Sequence, residues 1–400
     1  MLFRLLLAVH LAVWLINPEA LGIMGSANQL HKSLLFAAGV TFLMTRRVDR
    51  VVLLMIALII GATAVSAFVT AFPDFGMGRY LKSAFSLLSI LLLLAGKPTL
   101  EDRNFLLRLL AWAPIACVGI GAVYNVVGIH PLFAVDFLSV NRLQGSNIPS
   151  GLGSICYVGA IAAVLASAYL DRRYLFVCGA NMAILTLCAA RMPFAMAALV
   201  SIVAFYTYHA RTLGKAYLAT YALIILGAAG AIVAGQGILD RFESDNNSGR
   251  DMIWQALDSV RRQYPLFGIG LGHQIEVVPD EVIELTKTIA AHNEYLRLAL
   301  ETGYFGVVTI VALFVGIFVY MFLTRPLART TLFVTMVASF FIYCLTDNVI
   351  SSNVSLFALV MASFISIRPV SERPRVPVHM RPQRVRPSPP MWSRPSYQRR

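Results

Sequence analysis

The sequence predicts an all-α polytopic membrane protein of about 12 transmembrane helices, with one large outward loop that contains helix. Three observations carry this. Of the 400 residues, 58% are hydrophobic and only 13% charged, and the mean hydropathy is +0.72, a balance that excludes an ordinary soluble domain. Apolar runs of about 17 to 25 residues recur along the chain. The basic residues between them fall in alternate loops, as they do in membrane proteins with an excess of Lys and Arg on the inner side.

The first run, Leu5 to Ile16, follows Met1-Leu2-Phe3-Arg4. No small-x-small cleavage site comes after it, so it reads as a helix that stays and not as a removed leader. Next come Asn28 to Met44, Val51 to Phe72, Tyr80 to Gly96, Phe105 to Val127, Gly151 to Leu170, Tyr174 to Ala190, Pro193 to Tyr208 and Ala216 to Ile238. After a polar interval the runs resume at Tyr304 to Leu323, Thr331 to Tyr343 and Ser355 to Ile367. Each is bounded by charge or by Pro and Gly. Cys117, Cys156, Cys178, Cys188 and Cys344 all lie in apolar runs without paired spacing, so neither a disulfide framework nor a Cys-x-x-Cys metal site is indicated.

Arg46, Arg47 and Arg50, then Lys97 and Arg103, Arg172 and Arg173, Arg211 and Lys215, and Arg325 and Arg329 fall on one side of this alternation. That side is the inner one if the amino terminus is inward. The chain then divides into a transmembrane region at 1–238, an outward loop at 239–303, further transmembrane helices at 304–367 and a tail at 368–400. From Leu239 to His292 the loop carries nine acids against five bases. The tail holds nine arginines, one acid and eight prolines, and this composition cannot pack a core. It either lies on anionic lipid heads or fixes topology as a solvated segment. Because so much of the net +13 sits there, the charge is no argument for a nucleic-acid partner.

The loop holds the polar chemistry. Ser248 with Asp251 makes a capping box, and Ile253, Leu257, Val260 and Tyr264 recur at helical spacing until Pro265. Arg250 thus sits in a helix's first turn, where free N–H groups and a guanidinium fork suit a phosphate; pairing with Asp251, Glu243 or a lipid head is the alternative. Gly268, Gly270 and Gly272 read as a loop, since no βαβ unit surrounds them. His292 heads a helix running through Tyr295 and Leu298 into the membrane, and its imidazole can take a proton from a hydroxyl near neutral pH. An interfacial anchor is the plainer role for such a His, and His273 offers the same chemistry after a glycine run. Arg191, at the junction of two apolar runs, either binds an anion or snorkels to lipid phosphate. Arg142 is a third outward arginine, and with Arg191 and Arg250 it suggests an anionic substrate at the outer interface.

Ser248-Gly249-Arg250 with Trp254, Pro265-Leu266-Phe267-Gly268-Ile269-Gly270, and His292-Asn293-Glu294-Tyr295-Leu296 with Glu301-Thr302-Gly303 resemble, in that order, the signature of the O-antigen ligase and polymerase superfamily. Ala190-Arg191 and Arg142-Leu143-Gln144-Gly145 are similar to its upstream elements. The resemblance implies a C-type glycosyltransferase-like fold in the bacterial inner membrane, with a large periplasmic loop and no metal or other cofactor. The protein would move a glycan from undecaprenyl diphosphate to an acceptor sugar, such as that of lipid A core, with inversion. Its partners would be the lipid-linked glycan, an acceptor glycolipid or glycan, and membrane lipids. Arg250, Arg191 and Arg142 would bind the diphosphate, with Arg250 also counted as catalytic, and His292 would activate the acceptor hydroxyl. Polymerisation of lipid-linked repeat units is the alternative within the superfamily. A transporter or flippase is the alternative outside it, although such a protein would place ionisable residues near mid-span, whereas here most sit at helix ends, Asp347 being a modest exception.

Overall fold

The structure, a computed structural model, describes residues 1–22, 27–135, 140–209, 250–286 and 288–367. The expected run Ala216 to Ile238, the Ser248 cap and the basic tail lie outside them. Among the described residues eight helices precede the loop: α1 (Leu2–Ile16), α2 (Ala27–Thr45), α3 (Arg50–Val69), α4 (Met77–Ala95), α5 (Leu100–Val126), α6 (Pro149–Tyr169), α7 (Tyr174–Leu187) and α8 (Arg191–His209). Then come α9 (Arg250–Gln263), α10 (Asp280–Thr286), α11 (Glu294–Thr324), α12 (Thr331–Tyr343) and α13 (Asn353–Ile365). Two short antiparallel pairs accompany them, β1 (Arg47–Val48) with β2 (Gly96–Lys97) and β3 (Phe133–Val135) with β4 (Asn141–Leu143).

The protein is therefore a helical membrane protein. Among the described residues six helices are long and apolar enough to cross a bilayer, namely α3, α4, α5, α6, α8 and α11, and α1, α7, α12 and α13 are shorter apolar helices. The central one is α6, whose span is 89% buried. Its small residues explain this: Gly159 faces Pro114 of α5, Gly153 faces Ala190, and Ala160, Ala162, Ala163 and Ala166 are fully buried. Without a hydrophobic drive between helices in lipid, close approach over small side chains supplies the packing.

Ties between helix termini define two ends. At one, Asp102 in the first turn of α5 accepts from Arg4 of α1 at 2.9 Å and from Arg46 beyond α2 at 2.6 Å. Arg325 after α11 reaches Asp49 before α3 at 3.1 Å, and Arg103 lies 4.1 Å from the centre of the Tyr169 ring at the end of α6. These are the loops whose basic residues the sequence assigns to one side. At the opposite end Tyr124 of α5 donates to the Ile16 carbonyl at 2.6 Å, and the Glu294 amide donates to the Cys344 carbonyl at 2.8 Å.

At this second end the loop is laced into a break in α11. Gly303 has φ +64 and ψ −177, so the i to i−4 ladder stops there. The freed groups are taken by the Pro265 to Gly270 segment: Tyr304 and Phe305 amides donate to the Pro265 and Leu266 carbonyls at 2.9 and 3.2 Å, while Ile269 and Gly270 amides donate to the Leu300 and Glu301 carbonyls at 3.0 and 2.8 Å. A Cβ at Gly268, whose φ is +71, would come within 2.5 Å of the Leu300 carbonyl oxygen. The glycine run is there for this close backbone approach. Thr70 at the end of α3 donates to the Gly268 carbonyl at 2.8 Å and holds the loop from the other side.

Candidate functional site

The α9 helix forms as its spacing predicts: Ile253 and Leu257 are fully buried in a small apolar cluster with Ile269, Ala291 and Leu300, and Val260 and Tyr264 pack against it. This fixes where Arg250 sits. Trp254 on the next turn donates from its indole nitrogen to the Ala291 carbonyl at 2.7 Å, so α9 also holds the residue before His292.

His292 itself adopts φ +48. This left-handed conformation is uncommon for a residue with a side chain, though His tolerates it better than most. It turns the chain into α11, whose first turn is capped by Asn293 accepting from the Tyr295 and Leu296 amides. The imidazole Nδ1 lies 3.3 Å from Asp347 Oδ1, and Nε2 lies 3.4 Å from Thr288 Oγ1. Asp347, between α12 and α13, also accepts from the Tyr343 hydroxyl at 3.1 Å and the Asn348 amide at 2.8 Å. Burial pushes its carboxyl up, but the His292 hydrogen bond and charge, with the other donors, outweigh that and hold it below the ordinary carboxylate range. Its folded value is thus the lower one, so its stabilising contribution is present above the unfolded value and is lost as pH falls through the folded one. An imidazole with one nitrogen on a carboxylate and the other held only weakly has a defined tautomer and a free face for a substrate hydroxyl.

The three arginines share this neighbourhood. Arg142 on β4 donates Nε to the Cys188 carbonyl at 2.8 Å, which anchors it to the turn that leads through Ala189 at φ +51 into Arg191. Arg191 interacts electrostatically with Arg250 and Arg142, and both Arg142 and Arg250 interact with Asp347. Burial lowers the Arg250 guanidinium, Asp347 raises it and Arg142 lowers it again; burial lowers Arg142, against Cys188 and Asp347. Arg142 and Arg250 thus lie near the Asp347 carboxylate, and Arg191 lies near both of them.

His273 does not join this group. It is buried, Nε2 accepts from the Gly76 amide at 2.9 Å, Nδ1 donates to the Gly270 carbonyl at 3.1 Å, and the ring stacks on Phe75 at 5.0 Å. Both nitrogens are spent on fastening the glycine loop to the start of α4.

Two features escape the sequence reading. The pairing of Asp347 with His292 is one, since Asp347 stands out in the sequence only as an ionisable exception and nothing marks it as the partner of a residue in a distant loop. The other is the buried Glu294, Arg297 and Glu301 group, in which Arg297 pairs with both carboxylates, Glu294 accepts from the Ile350 amide at 3.1 Å and Glu301 accepts from the Gln274 amide at 3.1 Å. Its signal is visible, because positions i, i+3 and i+7 share one face of a helix. The group ties the head of α11 to the connector that carries Asp347. Arg297→Met would leave two carboxylates buried without their cation, so we expect a loss of roughly 3 kcal/mol, read as a lower thermal unfolding midpoint in detergent. Wild-type stability in that variant would refute the structural role.

No curated protein matches the chain. Residues 174–311, which carry Arg191, Arg250 and His292 together with the glycine loop and the kink of α11, match the family model described as O-antigen ligase, and that match supports the resemblance of the motifs in this stretch to the O-antigen ligase and polymerase superfamily.

Proposed function

We propose that the protein is an inverting, metal-independent glycosyltransferase that moves a glycan from undecaprenyl diphosphate to an acceptor sugar, such as that of lipid A core, at the periplasmic face of the bacterial inner membrane. One observation carries the reading: an Asp347-anchored His292 and three mutually coupled arginines meet at one end of a membrane bundle. His292 Nε2 takes the proton of the acceptor hydroxyl. That oxygen attacks the anomeric carbon from the face opposite the diphosphate, the sugar–phosphate bond breaks, and the charge gathering on the leaving diphosphate falls on Arg250, Arg191 and Arg142. Donors fixed in place beforehand need no reorganisation as charge develops. Since guanidinium groups carry the leaving charge, chelation of divalent ions should leave turnover unchanged.

The test is transfer in vesicles from a defined undecaprenyl-diphosphate glycan, offered lipid A core and a second lipid-linked repeat unit as rival acceptors. Joining to the core supports ligation and joining to the repeat unit supports polymerisation. Release of neither product nor undecaprenyl diphosphate would defeat the transferase reading.

Sidedness has its own test. All five cysteines are buried, so a single exposed Cys reports cleanly. With a membrane-impermeant maleimide on spheroplasts, Gln263→Cys should label and Arg172→Cys should label only after lysis. The opposite pattern would put the site in the cytoplasm.

A further inference from the structure

A cavity of about 230 Å³, with Asp347 in its wall, opens between the ends of α1, α6 and α13. Its wall includes Trp14, Asn147, Ser154, Asp347, Asn348 and Ser352. We propose that this cavity is a saccharide subsite that seats one neutral pyranose ring of the acceptor, with Trp14 and Asn348 as its specificity-determining residues. The word acceptor rests on the transferase reading above, but the saccharide assignment does not.

Three features argue for a sugar. Asn348 lines the cavity, and a side-chain amide can both donate to and accept from a hydroxyl. At the same wall α6 begins without a side-chain cap, so the Ser150 and Gly151 amides, in its first turn, are donors without helical partners. These groups, with the serine hydroxyls, both give and accept hydrogen bonds, which matches a ring of hydroxyl groups. Trp14 supplies an aromatic surface, and the C–H face of a pyranose is apolar and weakly positive where the ring face is negative.

Asp347 forms part of the wall, where its carboxylate can accept from a sugar hydroxyl. Volume decides the scale: the space equals about seven or eight waters of liquid, which suits one sugar ring and is far too small for a polyprenyl tail. A ring seated there would lie beside Asp347, the carboxylate that His292 contacts.

The experiment uses the full chain in nanodiscs and ligand-observed saturation-transfer NMR with the methyl pyranosides of glucose, galactose and N-acetylglucosamine. At least one should receive saturation from the wild-type protein. Asn348→Leu and Trp14→Leu should each lower that signal at least tenfold at unchanged elution volume, and in the transfer assay both should raise the acceptor KM tenfold or more while leaving the donor KM alone. No transfer to any pyranoside, or full signal in both folded variants, would overturn the subsite. A protein that binds pyranosides through Trp14 and Asn348 yet moves no glycan supports the subsite and defeats the transferase reading. Unchanged acceptor KM in both variants of an active enzyme does the reverse.

Discussion

His292→Ala is expected to cut the rate of glycan transfer by about 100- to 10,000-fold while donor binding stays at its wild-type level, because the imidazole acts on the acceptor hydroxyl and the arginines hold the diphosphate. The two readouts must separate. Donor binding is measured with radiolabelled lipid-linked glycan on the purified protein, and transfer is measured as product released per enzyme. His292→Gln keeps a hydrogen-bonding side chain but cannot relay a proton, so it should resemble the Ala variant. Asp347→Asn tests the other half: it keeps the shape and removes the charge that fixes the tautomer and stabilises the imidazolium, a change that costs orders of magnitude in enzymes built on such a pair. A His292→Gln enzyme with wild-type turnover would eliminate this residue as the base.

Arg250→Lys should lower turnover by about 100- to 1,000-fold, the usual cost of losing one preorganised donor to developing negative charge. Lys keeps the charge but loses the planar fork that meets two phosphate oxygens at once. Since Arg250 makes no hydrogen bond or ion pair among the described residues and lies within electrostatic reach of Asp347 and Arg142, the replacement breaks no contact within the described fold, and the unfolding midpoint should barely move. Near-normal turnover would mean that Arg250 serves only as a point charge.

What the sequence could reveal depended on whether a signal was local. The spacing of Ile253, Leu257, Val260 and Tyr264 is a local pattern, and α9 forms on it. Alternation alone led to the expectation that Arg142, Arg191 and Arg250 share one side, and the structure brings these three together. The glycine loop failed differently, because only the tertiary structure shows that its backbone completes the broken ladder at Gly303. Asp347 needed the same kind of knowledge. Its contact with His292 joins residues 55 apart in the chain, and such a pairing leaves no period, cap or motif to read.

The kink at Gly303 divides α11 into two lengths with different surroundings. From Tyr304 to Thr324 the helix rises about 31 Å, close to the hydrocarbon thickness of about 30 Å. From Glu294 to Thr302 it adds about 13 Å, more than one headgroup layer in a bilayer of about 40 to 45 Å overall. The helix is therefore a ruler, with His292 mounted on its upper mark. In the proposed transferase a lipid-linked donor would keep its tail among the acyl chains and raise only its head to the reaction plane. The height of that plane above the headgroups is fixed by protein length, whereas the height of the headgroups varies with the lipids. If the proposed transferase reading holds, acyl-chain length would control how well donor and base are aligned, with the best turnover in the bilayer whose thickness the lower segment matches.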